Sequence, residues 1–442
     1  MKSSRRPKLR THATRVLTAL ALATGMPATA GAAHAVPGAA PADHSRAWPV
    51  TAPPPVRPPA LAPALAASPA ATVPVVTWAA SADRLSGTAA QQLTYRLVVR
   101  TSVGGTGLRI RLTNAFGDRP ADFGRAHAGL RGSGAALIPG SNRALTFRGA
   151  PSVTVPPGGS VYSDPLPGAL RPQSDLAVSV YVRSAGTSPS GHRMALQTSF
   201  TAPGGDHSAD ETAAAYTQRT TSWFYLDAVV VDAPRGVGAV AALGDSITDG
   251  SSSTAGANRR WPDFLARRLQ GDPRSPVKGV ANEGISGNKV LADGAGQSAL
   301  KRLDRDVLSQ RGLRTVFLLE GVNDIKSPAA PTAAQLIAGY RKIVERSHAA
   351  GVCVVGATVL PYQGWRDWTP GGEALRQRVN AFVRDGGAFD AVVDLDAALR
   401  DPAAPARLRP VYDSGDHLHP GDAGMERMAA VVDPAKLRCS RR

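Results

Sequence analysis

The chain has only two cysteines, Cys353 and Cys439, among its 442 residues. Two thiols cannot build a disulfide framework or a multi-cysteine zinc site. One bridge could form after export to an oxidising compartment, but Cys353 lies in an apolar run where a buried, inert thiol is the common finding. The sequence therefore favours two unpaired cysteines.

Long hydrophobic runs are also missing, since no apolar stretch approaches the roughly 18 residues that cross a bilayer. The N-terminus instead combines a basic segment, a short apolar run at residues 16–23 and small residues ending at Ala35. This pattern is typical of an export signal. We predict a signal peptide at residues 1–35, no membrane anchor and a secreted protein. Arg5 and Arg6 fit a twin-arginine signal only in part, so the export route stays open.

Acidic residues are the minority, and the formal net charge is +17. Removing the predicted signal peptide takes away six cations and leaves +11. A basic surface can attract anionic partners, but the arginines are scattered and form no basic run with interleaved aromatics, as a nucleic-acid groove would. We expect a solvated arginine-rich surface, no nucleic-acid partner and a monomer.

The composition changes along the chain and predicts four segments. Residues 36–74 after the signal peptide are rich in Pro and Ala and predict a linker or disordered arm. Residues 75–234 contain short alternating segments, such as 108–112, separated by Gly, Pro, Asn and Asp. This pattern predicts an all-β sandwich of jelly-roll type.

Residues 235–436 alternate strand-like and helix-like runs. The predicted strands are 237–243, 277–281, 315–319, 352–360 and 391–395. Between them, Thr332 and Gln335 have the spacing of a capping box, and an apolar stripe with a 3.6-residue period follows them. Such alternation predicts a parallel sheet covered by helices on both faces, an α/β/α sandwich.

Four short motifs follow one another within this second part. They are Gly-Asp-Ser-Ile-Thr-Asp-Gly at 244–250, Asn-Glu-Gly-Ile-Ser-Gly-Asn at 282–288, Gly-Val-Asn-Asp at 321–324 and Asp-His-Leu-His-Pro at 416–420. The first follows an apolar strand and puts a serine at a sharp turn. Together the motifs resemble the four blocks of the GDSL, or SGNH, hydrolase family. Thr248 stands where a Gly-x-Ser-x-Gly elbow needs its second glycine, which disfavours an ordinary α/β-hydrolase.

The chemistry of ester hydrolysis assigns roles to these residues. It needs a nucleophile, a base and fixed dipoles at the developing oxyanion. Asp416 and His419 are three residues apart, so one turn can hold the carboxylate against the imidazole while the other ring nitrogen faces Ser246. His417 is the competing histidine. The resemblance implies Ser246 as nucleophile, with Asp416 and His419 completing the triad and no cofactor.

The resemblance also implies three oxyanion donors: the backbone N–H groups of Ser246 and Gly287 and the side-chain amide of Asn323. Glycine suits this role because its backbone N–H can approach a substrate without a Cβ in the way. Gly284 is the alternative to Gly287.

Aromatic residues make up 5% of the chain, and three of them lie in one loop: Tyr362, Trp365 and Trp368. They can stack on sugar rings, line an acyl pocket or merely anchor the loop. Asp394 and Asp396 end another predicted strand, but without histidines or a third acidic ligand nearby they do not indicate a metal site.

The sequence therefore predicts an exported serine esterase that acts on short acyl esters, such as acetyl esters of carbohydrate. Two alternatives remain. One is a lipase or phospholipase for longer acyl chains. The other is a carbohydrate-binding or cell-wall-binding protein with a secondary hydrolase domain.

Overall fold

The computed structural model describes residues 71–86 and 90–438, and all of them fall in one compact unit. The predicted signal peptide, all but the last four residues of the predicted linker, and Cys439 lie outside the described residues. The first strand begins at Thr72, so its first three residues belong to the stretch predicted as linker. The predicted division of the compact unit at residues 234 and 235 stays a prediction.

The β-rich part consists of fifteen antiparallel strands, several of them only two or three residues long, among the residues described up to Pro234. They are β1 (Thr72–Ala79), β2 (Asp83–Arg84), β3 (Gln91–Arg100), β4 (Gly105–Thr113), β5 (Ala121–Leu130), β6 (Arg143–Leu145), β7 (Val153–Val155), β8 (Ser160–Tyr162), β9 (Leu166–Leu170), β10 (Asp175–Ser184), β11 (Ser190–His192), β12 (Ser199–Pro203), β13 (Gln218–Thr220), β14 (Trp223–Phe224) and β15 (Leu226–Pro234).

These strands form two packed sheets and a small third one. One sheet has the order β1-β15-β4-β8 with β9 beside β4, and the other has the order β13-β12-β3-β10-β5-β6 with β7 beside β5. The third sheet has three strands in the order β14-β11-β2. The long strands β3 and β10 are each buried over a continuous run of at least five residues. The predicted antiparallel sandwich is confirmed.

The second part alternates strands and helices. Its elements are β16 (Gly238–Gly244), α1 (Ser246–Asp249), α2 (Trp261–Gly271), β17 (Val277–Gly284), α3 (Ala299–Arg302), a π-helix (Leu303–Leu308), β18 (Leu313–Leu319), α4 (Val322–Ile325), α5 (Ala333–Ala349), β19 (Cys353–Ala357), α6 (Pro370–Asp385), β20 (Ala391–Val393), α7 (Leu395–Leu399), α8 (Asp422–Ala430) and a 3₁₀ helix (Pro434–Leu437).

The five strands β16–β20 form one parallel sheet with the order β17-β16-β18-β19-β20. Strand β16 is buried along its whole length, as expected of a central strand with helices on both faces. The predicted capping box is present at α5, where the Thr332 hydroxyl accepts from the Gln335 N–H and the Gln335 side chain accepts from the Thr332 N–H. The predicted α/β/α sandwich is confirmed.

The β-rich part packs directly against β17. Ala80, just after β1, forms a parallel bridge with Asn282. The Val280 N–H donates to the Ser102 hydroxyl at 2.9 Å, and buried side chains of both parts belong to one continuous hydrophobic core. The β-rich part is therefore in position to influence residues at the end of β17.

Cys353 corrects one expectation. It is buried on β19 and is disulfide-bonded, so the expectation of two unpaired thiols is wrong. Its apolar surroundings do bury the thiol, as expected, but a buried cysteine can still form a disulfide bridge. Among the described residues, none of the helices has the length and apolar character that crossing a bilayer requires.

Candidate active site

Ser246 lies where the central strand of the parallel sheet ends. Strand β16 stops at Gly244, and Ser246 is the first residue of the single helical turn α1. The Asp245 side chain caps this turn by accepting from the Ile247 N–H at 3.0 Å. Ser246 is 7% exposed. The serine thus sits at the carboxyl edge of the sheet, where open α/β folds place their sites.

His419 faces Ser246 from the loop before α8. The distance between Ser246 Oγ and His419 Nε2 is 2.8 Å, and that between His419 Nδ1 and Asp416 Oδ2 is 2.6 Å. Both distances are those of hydrogen bonds. The competing His417 is half-exposed, and its Nδ1 pairs with Asp413 at 2.6 Å. The loop therefore presents His419, not His417, to the serine.

The Asp416 carboxylate is held by several donors. One oxygen accepts from the backbone N–H groups of Leu418 and His419, and the other bonds the His419 ring. Burial disfavours its charged form, but these hydrogen bonds outweigh that effect and lower the pKa of Asp416. Asp416 thus stays ionised and keeps Nδ1 of His419 protonated, which leaves Nε2 to accept the serine proton.

Two backbone N–H groups beside the serine are free to bind an oxyanion. Among the described residues, the N–H groups of Ser246 and Gly287 have no acceptor. The Gly284 N–H, in contrast, donates to Asn282 Oδ1 at 3.0 Å. Gly287 has φ +84°, which only glycine adopts readily. These observations favour Gly287 over Gly284 as the donor.

Asn323 reaches the same loop from the other side. It belongs to the turn α4 that follows β18, and its Nδ2 donates one hydrogen to the Asn288 carbonyl at 2.9 Å. Its second amide hydrogen has no acceptor among the residues that the structure describes. The neighbouring Asp324 accepts from the N–H groups of Val290 and Leu291. The Gly-Val-Asn-Asp motif therefore orders the loop that follows Gly287.

A group of buried carboxyls lies beneath the site. Burial, with the nearby Asp324 and Asp249 carboxylates, raises the pKa of Asp245 to about 7. Burial and Asp245 also raise the pKa of Glu320 well above its usual value, and neither carboxyl oxygen of Glu320 has a hydrogen-bond partner in the described part of the chain. Glu320 is therefore held neutral, because two buried negative charges this close would repel each other.

The three loop aromatics occupy different positions. The Trp365 ring lies 5.9 Å from the His419 ring, centroid to centroid, in an edge arrangement. Tyr362 is fully buried in the core. Trp368 is half-buried, and its Nε1 has no partner among the described residues. Trp365 is thus the aromatic next to the catalytic candidates, whereas the position of Tyr362 favours packing over substrate contact.

A cavity of about 620 Å³ opens beside the Gly287 loop. Ile285, Ser286 and Ala295 line it from the α/β part, while Met194 and Leu196 line it from the loop between β11 and β12. A Cβ on Gly287 would come within 2.9 Å of Ala295 Cβ, which places the glycine against this wall. The cavity is therefore built jointly by the two parts of the chain.

Sequence reasoning missed three residues of this region. Asp249 lies in the first motif but bonds His192 of the β-rich part at 2.9 Å, and the fully buried Arg302 bonds both the first and second motifs. Neither His192 nor Arg302 lies in a motif, so no local signal marked them. The other acidic pair, Asp394 and Asp396, forms ion pairs with arginines, among them Arg384.

Comparison with known proteins finds a family model that matches part of the chain. Residues 242–427 match the model of the GDSL-like Lipase/Acylhydrolase family. A GDSL-like lipase from Bacteroides thetaiotaomicron is 22% identical, with a TM-score of 0.34, and the match covers 45% of this chain and 87% of that one. A carbohydrate acetylesterase family member from Sinorhizobium meliloti is 19% identical, with a TM-score of 0.37 and coverage of 46% and 99%. No curated protein sequence matches the chain.

Proposed function

We propose that the chain is an exported serine esterase for short acyl esters of carbohydrate, and the starting point is the match of residues 242–427 to the GDSL-like lipase/acylhydrolase family model. One observation carries the proposal. Ser246 Oγ, the His419 ring and the Asp416 carboxylate are joined by hydrogen bonds of 2.8 Å and 2.6 Å. This arrangement supports nucleophilic attack by the serine.

The reaction proceeds through an acyl-enzyme. Ser246 Oγ attacks the ester carbonyl while His419 Nε2 takes the hydroxyl proton. The N–H groups of Ser246 and Gly287 and the Asn323 amide bind the oxyanion. His419 then donates its proton to the leaving alcohol, and the acyl group remains on Ser246. A water molecule, deprotonated by His419, releases the acid and restores the serine.

The position of Trp365 supports a sugar as the alcohol. His419 must reach the leaving oxygen to protonate it, so the alcohol lies on the His419 side of the scissile bond. Trp365 is the aromatic ring on that side, 5.9 Å from His419. Its Nε1 donates to Asp367 at 3.1 Å, which holds the ring in place. An indole face of this kind can stack on a sugar ring.

We expect replacement of Trp365 by Ala to raise KM for an acetylated oligosaccharide about 10-fold, as expected for the loss of one aromatic contact of roughly 1.4 kcal/mol. The value of kcat/KM for nitrophenyl acetate, whose alcohol part carries no sugar, should change less than about threefold. Trp368→Ala is the matched control in the same loop. Equal decreases in kcat/KM for both substrates would contradict sugar stacking.

The cavity favours a second candidate, an esterase for longer acyl chains. The acyl group lies on the side of the carbonyl away from the leaving alcohol. The cavity is on the Ser286 side, is lined by Met194, Leu196 and Ile285, and is far larger than an acetyl group needs.

Hydrolysis of nitrophenyl esters from acetyl to palmitoyl tests the two candidates. We expect the highest kcat/KM with acetyl, and a maximum at octanoyl or longer would replace the first candidate by the second. Leu196→Trp, which narrows the cavity, serves as the companion variant. If the cavity holds the acyl chain, this change lowers kcat/KM for long esters about 10-fold or more, because a filled pocket excludes the chain, and leaves acetyl unchanged.

Two observations support export. Residues 1–35 have the pattern of a signal peptide. Independently, Cys353 is disulfide-bonded, and structural disulfides persist mainly outside the reducing cytosol.

A further inference from the structure

We propose that His192 of the β-rich part is a positioning residue for the loop that carries Gly287 in the esterase site. We call this loop the oxyanion loop. The inference rests on the proposed function, because it assigns the Gly287 N–H to the oxyanion. It adds a role for the β-rich part, which contributes none of the triad residues.

A short chain of contacts joins His192 to that loop. His192 ends β11, and its Nε2 lies 2.9 Å from Asp249 Oδ1. The other oxygen of Asp249 accepts from the Ser286 N–H at 3.0 Å and from the Ser286 hydroxyl at 2.6 Å. Ser286 immediately precedes Gly287. The imidazole therefore holds the carboxylate that fixes the residue before the oxyanion donor.

The hydrogen bonds of His192 define its protonation. Its Nδ1 faces the Ser81 carbonyl at 3.0 Å, and its Nε2 faces the Asp249 carboxylate. Both partners are acceptors, so both ring nitrogens carry hydrogen, and the ring is an imidazolium. Burial lowers the pKa of His192, but the Asp249 carboxylate and these hydrogen bonds outweigh burial, and the pKa is raised.

Both side chains of this pair are buried, so the loss of His192 would change the position of Asp249. The side chains of His192 and Asp249 are 6% and 3% exposed, so the bond between them is shielded from water while the imidazole is in place. With His192 absent, Asp249 Oδ1 would be a buried charge without its partner and would turn toward other donors. Ser286 would follow it, because its N–H and its hydroxyl both donate to this carboxylate. The Gly287 N–H would then leave the position that the oxyanion requires.

The test compares His192→Ala with His127→Ala in the full chain. His127 is a matched control because it is also a buried histidine of the β-rich part, bonded to the Ser208 hydroxyl at 3.0 Å, and among the described residues none of its bonds leads to the site. We expect His192→Ala to lower kcat and kcat/KM for nitrophenyl acetate equally, by about 10- to 100-fold, since displacement of a transition-state donor by about 1 Å has such a cost. His127→Ala should keep kcat within threefold of wild type.

Rescue experiments distinguish a positioning role of His192 from a role in folding. His192→Gln keeps an N–H donor for Asp249, so it should recover at least part of the lost kcat, and imidazole added to His192→Ala should do the same because His192 lines the open cavity. If His192→Ala does not fold, the variants His192→Gln and Ser286→Ala test the positioning role instead. Loss of the Ser286 hydroxyl should lower kcat about 10-fold with a thermal midpoint near that of wild type.

The outcomes distinguish the two proposals. If wild type and Ser246→Ala hydrolyse the ester equally, the proposed function fails. If wild type is active and His192→Ala retains the kcat of His127→Ala, only the positioning role fails. A rise in KM with kcat unchanged would also overturn it, because that pattern indicates lost ground-state binding.

Discussion

Replacing Ser246 by Ala is expected to lower kcat for nitrophenyl acetate by a factor on the order of 10⁴ to 10⁶. The substitution removes Oγ, the atom that lies 2.8 Å from His419 Nε2 and would form the acyl-enzyme. The small residual rate would come from the oxyanion donors acting on a water molecule. Burst kinetics with wild type and variant, at equal folded concentration, provide the measurement.

Ser253→Ala is the matched control for this experiment. Ser253 is a buried serine only seven positions away, and its hydroxyl has no hydrogen-bond partner in the described part of the chain. Its removal should therefore leave kcat within about twofold of wild type. A Ser246→Ala enzyme that keeps more than a tenth of the wild-type rate would rule out Ser246 as the nucleophile.

The parts of the site that could be predicted are those encoded by neighbours in sequence. Asp416 and His419 lie three residues apart, so one turn suffices to join them, and Ser246 follows an apolar strand that any parallel sheet would bury. Asn323 likewise lies in the short turn α4, the next element after β18. For the same reason the capping box at Thr332 predicts the start of α5 correctly.

The parts that could not be predicted depend on contacts between distant segments. His192 and Asp249 are 57 positions apart, and Ser81 and Arg302 are 221 positions apart. No periodicity or spacing in a single sequence encodes such pairs. The aromatic loop shows the same limit, because only tertiary packing decides that Tyr362 is buried and Trp365 faces His419. The bonded state of Cys353 is a further case.

Arg302 is the residue whose loss is expected to have the largest structural effect. Its side chain is fully buried and donates to four acceptors on three segments: the Gly244 and Glu283 carbonyls, Asn288 Oδ1 and the Ser81 hydroxyl, at 2.7 to 3.0 Å. Gly244 precedes the Asp245-Ser246 turn, and Asn288 follows Gly287. One guanidinium thus joins the serine turn, the oxyanion loop and the β-rich part.

Arg302→Met should lower the free energy of unfolding by about 3–5 kcal/mol, because it removes the shared donor of four buried hydrogen bonds. The thermal midpoint should fall by on the order of 10 °C. At a temperature where the variant remains folded, kcat should still fall, since the Gly244 and Asn288 segments lose their common anchor. Arg302→Lys should not restore either quantity, because an ammonium cannot reach all four acceptors as the planar guanidinium does.

Arg96→Met separates the effect on stability from the effect on catalysis. Arg96 is another fully buried arginine, located in the β-rich part, where it donates to the Ser179 hydroxyl and the Ala135 carbonyl and lies over the Tyr216 ring. Its loss should also lower the thermal midpoint, but within the described part of the chain none of its contacts reaches the serine turn or the oxyanion loop, so kcat of the folded variant should match wild type. Equal kcat values for the two Met variants, both measured well below their midpoints, would show that Arg302 stabilises the fold without ordering the site.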